Sequence, residues 1–149
     1  MRVPFVNLGL QYKNYRKEII KAFDKISLKG NYILGKDLKA FEKEFASFCG
    51  TRFAIGLGNG SDAITFSLIS LNIGKGDEVI IPANSFVATA WTVANTGAKI
   101  VYADVNNDLN IDPKSVEKLI TQKTKAIIPV HLTGKICKIN DILSIAKKK

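Results

Sequence analysis

The stretch Phe53-Ala-Ile-Gly-Leu-Gly-Asn-Gly-Ser-Asp-Ala63 decides how this chain is read. A short apolar run, expected to form a strand over Arg52–Leu57, leads into three glycines at alternate positions and then into an apolar helix from Ser61 to Leu71. Glycine allows a tight turn and a close approach of backbone to a ligand. The free N–H groups and positive dipole end of the helix then face any anion placed there. Strand, glycines and helix in that order point to a phosphate site. The same glycines would also serve a tight turn that holds nothing.

The spacing narrows whose phosphate it is. Gly56-Leu-Gly58-Asn-Gly60-Ser61 is G-x-G-x-G, with Ser61 where a dinucleotide fingerprint has its third glycine. That fingerprint also needs an acid ending the next strand, whereas Glu78–Ile81 ends in Pro82-Ala-Asn84. A dinucleotide-binding fold is thus disfavoured. A Walker P-loop is excluded, because no glycine is followed by Lys-Ser or Lys-Thr. Phe86 follows directly after the Glu78–Ile81 strand, at the carboxyl edge where parallel sheets place ligands. It could stack on a planar ring or fill the core of the helix that follows.

Around this centre the elements alternate. Tyr12, Tyr15, Ile19, Phe23 and Ile26 mark one amphipathic helix, and Leu38, Phe41, Phe45 and Phe48 a second, ended by Gly50. Strand–helix units follow: Glu78–Ile81 with Phe86–Asn95, Lys99–Ala103 with a helix opened by Asp112-Pro113, and Lys125–Val130 with Asn140–Lys149. The strands are short continuous apolar runs, as expected when both faces of a parallel sheet are covered. The helix Ala63–Leu71 is apolar on most sides and is expected to be covered twice. The fold class is α/β, an α/β/α sandwich around a mainly parallel sheet. Residues 1–35 form an arm and helix before the strand–helix units of 36–149. The pattern stops within a helix at Ala146-Lys-Lys-Lys149, as part of a larger fold would.

The net charge of +9 on 149 residues favours anionic partners. The lysines are scattered over nearly every helix, so a solvated basic surface is expected rather than a nucleic-acid patch. No stretch reads as a signal peptide or membrane span, and Cys49 and Cys137 lack metal-ligand spacing. Two reduced, buried thiols in a cytoplasmic protein are expected.

Taken jointly, several segments carry a resemblance: Pro4-Phe-Val-Asn-Leu8, Asn31-Tyr-Ile-Leu-Gly35, Phe41-Glu-Lys-Glu-Phe-Ala46 and Gly58-Asn-Gly-Ser-Asp-Ala63. Gly74-Lys-Gly-Asp-Glu-Val-Ile-Ile-Pro-Ala-Asn-Ser-Phe-Val-Ala-Thr89 and Lys125-Ala-Ile-Ile-Pro-Val-His-Leu-Thr-Gly134 complete the set. In order and spacing the chain resembles the N-terminal part of the DegT/DnrJ/EryC1/StrS family of pyridoxal-phosphate-dependent sugar aminotransferases, and so the large domain of the type I fold. The resemblance implies pyridoxal 5'-phosphate as cofactor, a nucleotide-linked keto-sugar as substrate, an amino donor such as glutamate, and a homodimer for the complete enzyme. It implies that Gly60, Ser61 and Asp62 hold the cofactor phosphate and that Phe86 lies over the pyridine ring. Asn7, Tyr32, Thr89 and His131 fall in segments that approach the substrate or the partner subunit.

The chemistry also needs a Schiff-base lysine and an acid against the pyridinium nitrogen. In the family both lie in segments beyond those matched here, and no lysine of this chain stands in the matching context. No catalytic residue is therefore assigned, and the chain alone is expected to be inactive. A sugar dehydratase of the same family, with histidine replacing the lysine, and a non-catalytic remnant are the other readings. The elements lost in a remnant would leave apolar surface exposed and the chain prone to self-association.

Overall fold

The computed structural model describes residues 3–148. Met1, Arg2 and Lys149, the last residue of the expected final helix, lie outside the described residues. The chain divides into two compact units, Met1–Gly56 and Leu57–Lys149, a boundary set by packing that falls inside the glycine-rich stretch.

The first unit holds α1 (Leu8–Ser27) and α2 (Lys36–Cys49). Asn7 caps α1, its side chain accepting from the Leu10 amide at 2.9 Å. Gly50 ends α2 in the left-handed conformation, where a side chain would be strained. Lys25 Nζ and Asp37 Oδ1 pair at 2.7 Å. The apolar stripes follow the expected periodicity, yet no residue of α1 and only Ala46 of α2 is buried. Phe41 stacks on Phe45 at 5.5 Å between ring centroids.

Arg52–Leu57 does not form the expected strand. A strand requires a neighbour to complete its ladder, and none pairs with this run among the described residues: the Gly56 amide bonds Glu42 Oε1 at 2.8 Å, and the Thr51 amide just before the run bonds the Ala46 carbonyl. Phe53 and Ile55 are left exposed.

The second unit is a three-layer sandwich. Its elements are α3 (Gly60–Ser70), β1 (Glu78–Pro82), α4 (Val87–Asn95), β2 (Lys99–Ala103), α5 (Pro113–Leu119), β3 (Thr124–Ile127) and α6 (Ile139–Lys147). The sheet is parallel, ordered β2-β1-β3, with Ile80 opposite Val101 and Ile127. Successive β1 side chains point to opposite faces. Val79 and Ile81 therefore join Leu68 of α3 and Val93 of α4, whereas Ile80 joins Val116 of α5 and Ile142 of α6.

All five residues of β1 are buried, as the continuous apolar run predicts. β2 and β3 are edge strands and less deeply buried: Ile100 and Ala126 pack on one face and Val101 and Ile127 on the other, while Tyr102 is exposed. Nor is α3 covered twice: Leu68 is buried, but Phe66, Ile69 and Leu71 are exposed, because its cover within this unit comes from the sheet and α4 alone. The short connection Leu71–Asp77 returns the chain to the start of β1. Helix α3 thus runs back along the sheet, with its amino end toward the carboxyl edge.

Candidate functional site

The amino end of α3 is organised by Asn59, whose side-chain oxygen accepts from the Asp62 amide at 2.9 Å. Its Nδ2 donates to Asp62 Oδ2 at 3.0 Å, and its carbonyl accepts from the Ala63 amide at 3.2 Å. The first four amides of a helix lack helical partners. Here two are satisfied locally, and those of Gly60 and Ser61 meet no acceptor among the described residues. Neither does the Ser61 hydroxyl. Of the three residues expected to hold a phosphate, Gly60 and Ser61 offer free donors; the Asp62 amide is already engaged.

The glycines earn their places differently from the turn expected of them. None of Gly56, Gly58 and Gly60 has positive φ. A Cβ on Gly56 would stand 2.6 Å from Leu38 Cδ1, and one on Gly58 2.8 Å from Asp62 Oδ2. A Cβ on Gly60 would meet nothing within 4 Å. The first two glycines permit close packing, and the third opens onto free space beside two unsatisfied amides. Free amides at an open helix end have the polarity that a phosphate group needs.

At the carboxyl edge, Phe86 is the residue that caps α4 and is 77% exposed, so it is not the core phenylalanine that was the alternative. Thr89 lies in the first turn of α4, buried, its amide donating to the Phe86 carbonyl at 2.9 Å. His131 follows β3 and is exposed, its Nδ1 accepting from the Cys137 amide at 3.2 Å. Asn7 and Tyr32 belong to the first unit, where Asn7 is occupied as a helix cap and Tyr32 is exposed.

Two asparagines join the loops of this edge. Asn84 Nδ2 donates to the Leu109 carbonyl at 3.0 Å, tying the loop after β1 to the loop after β2. Asn110 ties the loop after β2 to the one after β3, accepting from the Leu132 amide and donating to the Lys135 carbonyl. Asp108 beside it is held below the usual carboxylate range, chiefly by the Asn110 amide. Burial pushes the Cys137 thiol up, whereas Cys49, near the end of α2, is exposed and not the buried thiol expected. Asn59 and Asn110 carry more than their sequence context signals. Only the position of Asn59 before a helix, and of Asn110 between Leu109 and Ile111, hints at a cap and a buried polar group.

The opposite edge is closed. Glu78 accepts from Lys99 Nζ at 2.8 Å and from Thr121 Oγ1 at 2.6 Å. These bonds, that from Lys99 foremost, hold its carboxyl below the usual range. Among the described residues no cluster of His, Cys, Asp and Glu could hold a metal ion, and no helix is long and apolar enough to cross a membrane.

A fold with such a cradle and an exposed aromatic at the carboxyl edge belongs to a known class. The family model of the DegT/DnrJ/EryC1/StrS aminotransferase family matches residues 13–149, and the chain belongs to that family. It is 42% identical over 147 residues to the dTDP-3-amino-3,6-dideoxy-alpha-D-galactopyranose transaminase of Aneurinibacillus thermoaerophilus, covering 98% of this chain and 40% of the relative. Its fold is similar to that of part of Streptomyces venezuelae DesV, solved with a ketimine intermediate (TM-score 0.95, 39% identity, 99% of this chain and 40% of that one). It also matches Bacillus subtilis NtdA, solved with the cofactor PMP (TM-score 0.94, 36% identity, 99% and 34%). The chain spans about 40% of the length of the curated relative.

Proposed function

We propose that this chain is the cofactor-cradling part of a pyridoxal-phosphate-dependent aminotransferase that aminates a nucleotide-linked keto-sugar. Glutamate is the amino donor in this reading, and the complete enzyme is a homodimer. The observation that carries it is the pair of unpartnered amides at Gly60 and Ser61, opening onto free space at the helix end. The family and the printed activity of the Aneurinibacillus relative support the substrate class.

The residues present fit the cofactor. The Gly60 and Ser61 amides and the Ser61 hydroxyl would hold its phosphate, and the exposed Phe86 ring would cover its pyridine. When bound, pyridoxal phosphate supplies an electron sink for amino transfer. Phe86 would orient the ring and keep water from one of its faces. The lysine that would bond covalently to the cofactor is not assigned to any residue of this chain.

Titration of the chain with pyridoxal phosphate, followed by borohydride reduction and mass spectrometry, tests the reading. The expected result is saturable binding that inorganic phosphate displaces, without a stoichiometric adduct on one lysine. No saturable binding would sink the cradle, and a single stoichiometric lysine adduct would sink the assignment of the lysine elsewhere.

A further inference from the structure

Asn110 is 1% exposed and sits in the loop between β2 and α5. Its Oδ1 accepts from the Leu132 amide at 3.1 Å and its Nδ2 donates to the Lys135 carbonyl at 3.3 Å, so one side chain grips both ends of the turn after β3. Within that turn Thr133 stands at φ 53 and Gly134 at φ 85. A β-branched residue at positive φ is strained and persists only where its surroundings enforce it. Just past the turn, the Cys137 amide donates to His131 Nδ1 at 3.2 Å.

These contacts fix the state of the imidazole. A ring nitrogen that accepts an N–H carries no proton of its own, so the proton of the neutral ring is on Nε2. The two ring nitrogens point in nearly opposite directions, which aims Nε2–H away from the turn. His131 is exposed, and Nε2 finds no acceptor among the described residues. A buried asparagine, a strained threonine and a backbone amide therefore combine to hold out one oriented donor beside the carboxyl ends of the strands.

We infer that Asn110 is a positioning residue, and that with the Cys137 amide it presents His131 Nε2–H as a hydrogen-bond donor to an anionic oxygen of the ligand bound at this edge. The inference rests on the cofactor reading above. The oxygen belongs either to a phosphate or to the ionised ring hydroxyl of the cofactor; the donor chemistry is the same.

His131 is the only histidine in the chain, so its imidazole nitrogens give an unambiguous 15N spectrum. Without ligand, the chain is expected to show the Nε2–H tautomer; a dominant Nδ1–H tautomer overturns the mount. Asn110→Ala is expected to lower the ratio of Nε2–H to Nδ1–H roughly threefold or more, the effect of losing a net hydrogen bond. Asn110→Asp keeps the acceptor for Leu132 but loses the donor to Lys135, and should shift the ratio the same way if Asn110→Ala does not fold. An unchanged ratio in a folded variant overturns the role of Asn110.

Pyridoxal phosphate is then added, with inorganic phosphate as a separate arm. A shift of the Nε2 resonance in both arms assigns the oxygen to phosphate, and a shift with pyridoxal phosphate alone assigns it to the ring. Saturable binding that leaves Nε2 unmoved overturns the donor role. Absence of binding defeats the cofactor reading, and with it the ligand, while the tautomer ratio still decides the mount.

Discussion

The two edges of one parallel sheet differ in what they leave unsatisfied. At the amino edge Glu78 is engaged by Lys99 and Thr121, and the Glu78 amide by the Lys123 carbonyl. At the carboxyl edge the loops are tied by neutral asparagine bonds, while the Gly60 and Ser61 amides and the His131 Nε2–H are left over. Both edges hang on the same buried strand, β1. A closed edge contributes stability, and an open one leaves donors free for a ligand. The first amides of a helix lack helical partners and are met by side chains, water or a ligand, so donors left open on one side offer a ligand a place to bind.

Substitutions should separate these roles. The largest expected effect is on the strand that supports both edges. Ile80→Ala removes a fully buried side chain from the α5/α6 core and is expected to destabilise by about 2–5 kcal/mol in chemical denaturation. Next comes Gly60→Ala. Its methyl meets nothing in the protein, so the melting temperature should hold while affinity for pyridoxal phosphate falls roughly tenfold or more, as the methyl fills the cradle. Equal affinity in the folded variant would remove the cradle from that position. Ser61→Ala deletes one donor and is expected to weaken affinity by roughly threefold to tenfold, with little change in melting.

The smallest effect is on the closed edge. The Glu78 carboxyl is held below its ordinary value in the fold, so its contribution is complete above the ordinary carboxylate range. It is lost as pH falls through that range toward the depressed value. Denaturation midpoints should therefore decline from neutral to acid pH. Glu78→Gln should flatten that decline without altering pyridoxal phosphate affinity at pH 7. A changed affinity would mean that the two edges are not separable.

Much of the second unit was legible in the sequence because its signals are local. Val79-Ile-Ile81 reads as a central strand, Asp112-Pro113 as a helix start, and both stand where expected. Arg52–Leu57 was misleading: an apolar run gives strand propensity but cannot name its partner, and here no strand pairs with it among the described residues and Glu42 takes the Gly56 amide. The glycines at 56, 58 and 60 read alike in the sequence, and only coordinates separate two that serve close packing from one that faces open space. Asn110 was silent because its partners, Leu132 and Lys135, are distant in sequence. Long-range bonds between loops have no periodicity to read.

The most direct measurement is an amide 15N–1H titration of the chain with pyridoxal phosphate. The Gly60 and Ser61 resonances are expected to shift saturably and together, with those of Glu78 and Lys99 at the closed edge unmoved. Binding that leaves Gly60 and Ser61 unshifted, or that moves the closed edge instead, would contradict the cradle and the function proposed from it.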